Sequence, residues 1–226
     1  MRSVPSLLLT ALCLLLALPV LGVLAAWFTL DAAALAVLRH QFETVLPEYA
    51  LQSAALRSHE AIRQRRDDAG TTGTMATTLT LFLGVWPRYY LLQVGDSRYY
   101  RYRNGVLTQI TRDQTFAQSL VDAGAMSAAD ASQSRLANVL SSALGADESL
   151  PVVTPLDADW DNIPLLCSDG LTKHVSDARI TEILGAMTSS KQAAELLVQE
   201  ALDAGGTDNI TVIVGRTVPK EGRIAM

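Results

Sequence analysis

The sequence predicts an α+β fold built on antiparallel strands, and three observations carry that prediction. Stretches rich in β-branched and aromatic residues at 71–84, 88–94, 99–102 and 106–110 follow one another with connections too short for a crossover helix, so they run antiparallel. Helical periodicity is confined to segments on either side of that block. Two apolar runs, at 163–167 and 210–214, each have an aspartate one residue beyond their end, where a buried strand emerges at the rim of a sheet.

A chain of 226 residues supports one substantial core, alone or with an appendage. A formal net charge of -5 argues against a nucleic-acid partner, and Arg63, Arg65 and Arg66 form only a short cluster closed by Asp67 and Asp68. Cys13 and Cys167 suggest neither a disulfide framework nor a zinc site, so the globular part reads as intracellular. His40, His59 and His174 lack metal-ligand spacing and are expected in surface or packing roles.

Residues 3–30 carry no charge, and about 20 apolar residues suffice to cross a bilayer. A transmembrane anchor is the first reading of this run; a cleaved secretory signal is the second, and a displaced start or reading frame the third. Arg2 and Arg39 flank it almost symmetrically, so the positive-inside rule gives no orientation.

Asp31 is placed to cap a helix carrying Leu35, Leu38, Phe42, Val45 and Leu46, interrupted at Pro47. A second helical pattern puts Tyr49, Leu56 and Ile62 on its apolar side and ends near Gly70. Asn104 and Gly105 form a tight hairpin turn between the third and fourth strands. Helices are expected at 116–123, after Ser127 and at 135–144, then a strand at 150–156 and an acidic loop at 157–161. The loop lacks the glycine and distal glutamate of a calcium site. Two amphipathic helices at 176–187 and 191–204 precede the last strand, and residues 217–226 read as a disordered tail.

The chemistry concentrates at the strand ends. Asp169 closes the 163–167 run and is followed by Gly170, which lets the backbone turn sharply and approach a neighbour closely. Asp208 opens the last strand. Two carboxylates ~4 Å apart without a cation would repel by about 4 kcal/mol at an effective dielectric of 20, whereas a hard divalent ion would turn that repulsion into binding. Each aspartate alone is an ordinary turn residue.

Taken in order, Met75, Ala76, Thr77 and Thr78; Gly95, Asp96, Ser97 and Arg98; Thr111, Arg112 and Asp113; Ser168, Asp169 and Gly170; and Asp208 with Asn209 form a series. It closely resembles the metal-dependent serine/threonine protein phosphatases of type 2C, the PPM family, in their compact bacterial form. The likeness runs over about residues 32–216. It implies an antiparallel β-sandwich flanked by helices on both faces (αββα), N-terminally incomplete, within a domain at 31–216.

The resemblance also implies a magnesium or manganese cofactor, with Asp169 and Asp208 as metal-site carboxylates and Asp113 as the aspartate of a weaker third metal. Asp96 would support the site without being a ligand, and Gln114 stands where the family usually has a histidine. Family members open with a strand bearing an arginine and an acidic ligand, then an Asp-Gly pair whose aspartate bridges two metals. No Asp-Gly occurs here before Asp169. The implied function is hydrolysis of phosphoserine and phosphothreonine on proteins, impaired by loss of the N-terminal ligands. The alternative is an inactive, membrane-tethered binding module. Partners implied are phosphorylated proteins and a cognate serine/threonine kinase, with a cytoplasmic domain that is either membrane-anchored or soluble.

Overall fold

Two antiparallel sheets face one another. The computed structural model describes residues 46–70, 75–85 and 88–217. The elements in chain order are α1 (Leu46–Asp68), β1 (Leu79–Val85), β2 (Arg88–Val94), β3 (Arg98–Arg103), β4 (Val106–Gln109), α2 (Phe116–Asp122), α3 (Ala128–Gln133), a 3-10 turn (Arg135–Asn138), β5 (Val152–Asp157), β6 (Ile163–Cys167), α4 (Asp169–Thr172), α5 (Asp177–Ala186), α6 (Ser190–Asp203) and β7 (Val212–Val214). One sheet has the strand order β1-β2-β5 and the other β4-β3-β6-β7, every pairing antiparallel. The α+β class expected from the sequence is the one observed.

Strand alternation assigns the layers. On β3, Tyr99 faces the other sheet, where its ring stacks on Phe82 of β1 at 5.1 Å. Its neighbour Tyr100 faces the opposite way, into a core shared with Leu165 of β6, Ile180, Ile183 and Leu184 of α5, and Leu197 and Ala201 of α6. On β2, Leu92 and Val94 turn to α1, where they meet Ala55, Leu51 and Ile62. Helices therefore cover the outer face of each sheet. Ser176 and Ser189 cap α5 and α6 by accepting from the Arg179 and Gln192 N–H groups, each cap contributing about 1 kcal/mol. Asn104 at φ 49° and Gly105 at φ 80° make the expected tight turn between β3 and β4.

Several sequence expectations are corrected. Tyr49 and Leu56 are exposed, and the core side of α1 is instead Leu51, Ala55 and Ile62. Pro47 lies in the first turn of α1, where its missing N–H has no intrahelical partner to lose. The 135–144 helix shrinks to one 3-10 turn, because Leu144 is taken up by backbone bonds with Thr77 in both directions, at 3.0 and 2.9 Å. The regular strand expected from Thr71 begins only at Leu79; Thr77 makes an isolated bridge, and residues 71–74 lie outside the described residues. Among the described residues β7 lies at the edge of its sheet, with Ile213 59% exposed, so Asp208 precedes a half-exposed strand rather than a buried one.

The apolar run, the helix expected after Asp31 and residues 218–226 of the tail lie outside the described residues. Among the described residues no helix is long and apolar enough to cross a membrane.

Leu197 is fully buried at the centre of the helix-to-sheet core. Leu197→Ala is expected to lower unfolding stability by about 2–5 kcal/mol, read as a reduced urea midpoint at unchanged slope.

Candidate active site

The ends of β6 and β7 are joined by a clasp. The Ser168 N–H donates to the Thr211 carbonyl at 3.0 Å, the Ser168 hydroxyl donates to the Asn209 carbonyl at 2.9 Å, and the Thr211 N–H donates to the Ser168 hydroxyl at 3.0 Å. Immediately beyond, Gly170 passes so near the other strand that a Cβ there would stand 2.5 Å from the Asn209 carbonyl oxygen. Only a residue without a side chain permits that approach. The close backbone crossing brings Asp169 and Asp208 to a common point.

At that point stands Lys173. Its ammonium lies 2.5 Å from the Asp169 carboxylate, one helical turn back, and 2.8 Å from Asp208 Oδ2. Asp208 is oriented further by the Asn209 N–H, which donates to its Oδ1 at 2.8 Å. The hydrogen bond from Lys173, then that backbone N–H, hold the Asp208 carboxyl below its ordinary range. Burial pulls the Lys173 ammonium down, but its bonds to Asp169 and Asp208 outweigh this and leave it raised.

Asp113 is held separately. Arg98, at the start of β3, grips it with Nε at 3.0 and 3.1 Å and Nη2 at 2.7 Å, and the Gln109 amide donates to it at 3.0 Å. The other guanidinium nitrogen donates to the Tyr100 hydroxyl at 2.8 Å, which donates to Asp177 at 3.1 Å. The turn before β3 presents Asp96, which faces both groups. Burial, then the Asp169 and Asp113 charges, push its carboxyl up to about 6. Asp96, Arg98, Asp113, Asp169 and Lys173 line one cleft of ≈ 650 Å³, with Gln118 and Arg135 on its α2 and 3-10 side.

Two glutamines brace this end of the sandwich. Buried Gln93 donates to the Gly95 and Arg112 carbonyls at 3.1 and 2.9 Å and accepts from the Arg112 N–H at 3.2 Å. Gln114 accepts from the Gly95 N–H at 2.8 Å and donates to the Leu150 carbonyl at 2.8 Å. The histidines among the described residues sit in packing roles: His59 accepts from the Gly145 N–H at 3.0 Å and His174 from the Thr207 N–H at 3.1 Å. Burial pushes the Cys167 thiol up to about 12, which keeps it unreactive.

The fold thus brings Asp113 and Asp169 to one cleft and links Asp208 to Asp169 through a shared ammonium. Among the described residues no three His, Cys, Asp or Glu side chains group tightly enough to hold an ion without rearrangement. Sequence reasoning passed over Lys173, Gln93 and Gln109. Lys173 alone had a signal, its place four residues after Asp169 at the start of a helical stretch.

No family model matches the chain. Its relatives include the serine/threonine protein phosphatase PstP of Mycobacterium tuberculosis, 38% identical over 168 residues, which are 74% of this chain and 32% of that protein. The serine/threonine phosphatase stp of Listeria monocytogenes is 36% identical over 153 residues, covering 67% of this chain and 61% of that one. The chain therefore spans about a third to three-fifths of the length of these curated relatives. The crystal structure of the M. tuberculosis phosphatase superposes with a TM-score of 0.67 at 38% identity, over 71% of this chain and 68% of that one. A structure of its catalytic domain in complex with two manganese ions gives a TM-score of 0.63 at 38% identity, over 71% and 67%. An antiparallel sandwich with helices outside and acidic strand ends at one mouth defines the class, and the chain belongs to the bacterial PPM-type serine/threonine phosphatase family. The magnesium or manganese cofactor expected from the sequence agrees with that family.

Gly170→Ala is expected to cost about 1–3 kcal/mol in thermal or urea unfolding, because the new methyl must push the two strand ends apart. Asp96 gives a pH-dependent prediction. Its folded value of about 6 lies above the ordinary 3.8, so the folded state binds the extra proton between those values and stability falls as pH rises through them. Asp96→Asn should therefore stabilise the metal-free protein near neutral pH by roughly 1 kcal/mol after solvent screening, read as a higher melting temperature, and leave it nearly unchanged at about pH 3, below the unfolded value.

Proposed function

We propose that the chain is a metal-dependent protein phosphatase that hydrolyses phosphoserine and phosphothreonine on proteins. Asp169 and Asp208 serve as carboxylates for magnesium or manganese, and Asp113 as the carboxylate of a further, weaker cation position. The observation that carries this reading is the convergence of Asp169 and Asp208 on one cationic centre at 2.5 and 2.8 Å, beside a cleft.

The donor set fits the cofactor. Two carboxylates already oriented toward a single positive charge offer the oxygen-rich environment a hard divalent ion prefers. When bound, such an ion supplies Lewis acidity that activates water near neutral pH and offsets charge on phosphoryl oxygens. The chain's own residues do the rest. The Ser168 clasp and Gly170 hold the two carboxylates at one point. Arg98 fixes Asp113 in the cleft wall by a two-point grip. Arg135 brings a guanidinium to the same cleft, where a phosphate-bearing segment would lie against it.

The proposed organisation is an apolar segment at 1–30 that tethers the chain to a membrane, a phosphatase domain at 31–216 on the cytoplasmic side and a tail at 217–226. A cognate serine/threonine kinase would supply the substrates. One observation favours a second reading, a phosphopeptide-binding module without turnover: Asp113, Asp169 and Asp208 are each already paired with a protein cation, the last two with the same one.

Manganese-dependent hydrolysis of an aryl phosphate and of a phosphothreonine peptide tests both. Hydrolysis by the full chain, reduced about hundredfold or more by Asp169→Asn, is the expected result. Absence of turnover with intact phosphopeptide binding would leave the binding module.

A further inference from the structure

We infer that Lys173 is a tethered competitor for the cation position between Asp169 and Asp208, so that a divalent ion enters only by displacing its ammonium. This rests on the reading of the two aspartates as metal carboxylates given above.

The geometry makes the two occupants exclusive. Lys173 approaches to 2.5 Å of Asp169 and 2.8 Å of Asp208, which are the oxygens an ion would take. Like charges so close would repel strongly, and a carboxylate oxygen aimed at an ammonium is not aimed at an ion beside it. The competitor is also permanently present. Asp169 and Lys173 lie one helical turn apart, so the lysine's effective concentration at the site is set by the chain and not by the solution.

Displacement is feasible. The Lys173 side chain is 31% exposed and sits on a flexible four-carbon stem at the edge of the cleft. It can swing toward solvent without disturbing the Ser168 clasp, whose bonds are all to the 209–211 backbone or from it. Two acidic groups with one lysine carry a net charge of -1, whereas the same pair with a divalent ion is neutral, so higher metal concentration drives the exchange. The lysine has a second consequence for the metal-free protein. It screens the mutual repulsion of Asp169 and Asp208, so removing it should weaken the fold without metal and strengthen metal binding, two effects of opposite sign that a merely structural lysine would not produce.

Calorimetric titration of manganese into the full chain, its Lys173→Gln and Lys173→Arg variants and the Lys173→Gln/Asp208→Asn double variant tests this. Lys173→Gln is expected to bind manganese roughly tenfold more tightly than the parent, the equivalent of about 1.4 kcal/mol, with Lys173→Arg remaining weak and the double variant losing the gain. Lys173→Gln should also melt lower than the parent without metal and converge with it at saturating manganese, where the parent's ammonium has already been displaced.

The parent chain gives a second measurement that needs no substitution. Saturating manganese should increase acylation of Lys173 by an amine-reactive reagent, read by mass spectrometry. Equal manganese affinity in parent and Lys173→Gln, with binding still lost on Asp169→Asn, overturns the competition and leaves the metal site standing, as does Lys173 labelling unchanged by bound metal. Absence of manganese binding in every variant overturns the metal reading itself, and the competition with it.

Discussion

Acidic side chains converging at one mouth of a sandwich cannot all be ionised unless positive charge is close by. Two such charges ~4 Å apart cost about 4 kcal/mol at an effective dielectric of 20, comparable to a large fraction of a domain's net stability. The chain meets this constraint in three ways. Asp113 receives a guanidinium, Asp169 and Asp208 divide an ammonium, and Asp96, which forms no ion pair among the described residues, shifts toward its neutral form. The backbone features around the site follow from the same constraint. The serine clasp and the glycine crossing hold carboxylates together against their repulsion.

The two protein cations differ in kind. Arg98 binds Asp113 through a rigid planar fork and is anchored behind by Tyr100, which continues to Asp177 at the head of α5. That chain of bonds runs from the site through the sheet to the helical layer, so Asp113 is part of the scaffold. Lys173 is a point charge on a flexible stem, about a third exposed. One carboxylate is therefore built in, and the other two share a mobile point charge.

Most of the layer structure was legible from the sequence because strands and helices here follow their own periodicities. The 88–94 and 163–167 runs became β2 and β6 at the positions expected, and Asn104 with Gly105 made the expected turn. Expectations failed where tertiary contacts overrode local pattern. Leu144 has helical spacing from Leu136 and Leu140 but is drawn into a bridge with Thr77, and Tyr49 and Leu56 share a face that the sheet does not cover. The aspartates of the site were visible because they terminate apolar runs. Lys173 was passed over because its role depends on Asp208, 35 residues away, and no local pattern encodes that meeting. Gln93 was hidden for a related reason, since inside an apolar strand it reads as an interruption and only the fold reveals the Arg112 backbone it satisfies.

Gln114 spans the turn at Gly95 and the segment entering β5 with one amide, its oxygen accepting on one side and its nitrogen donating on the other. The amide at this junction has no proton to gain or lose across the biological range. Acidification that reprotonates neighbouring side chains leaves this joint chemically unchanged. The loop that carries Asp96 thus hangs from a fastening that acidity does not loosen.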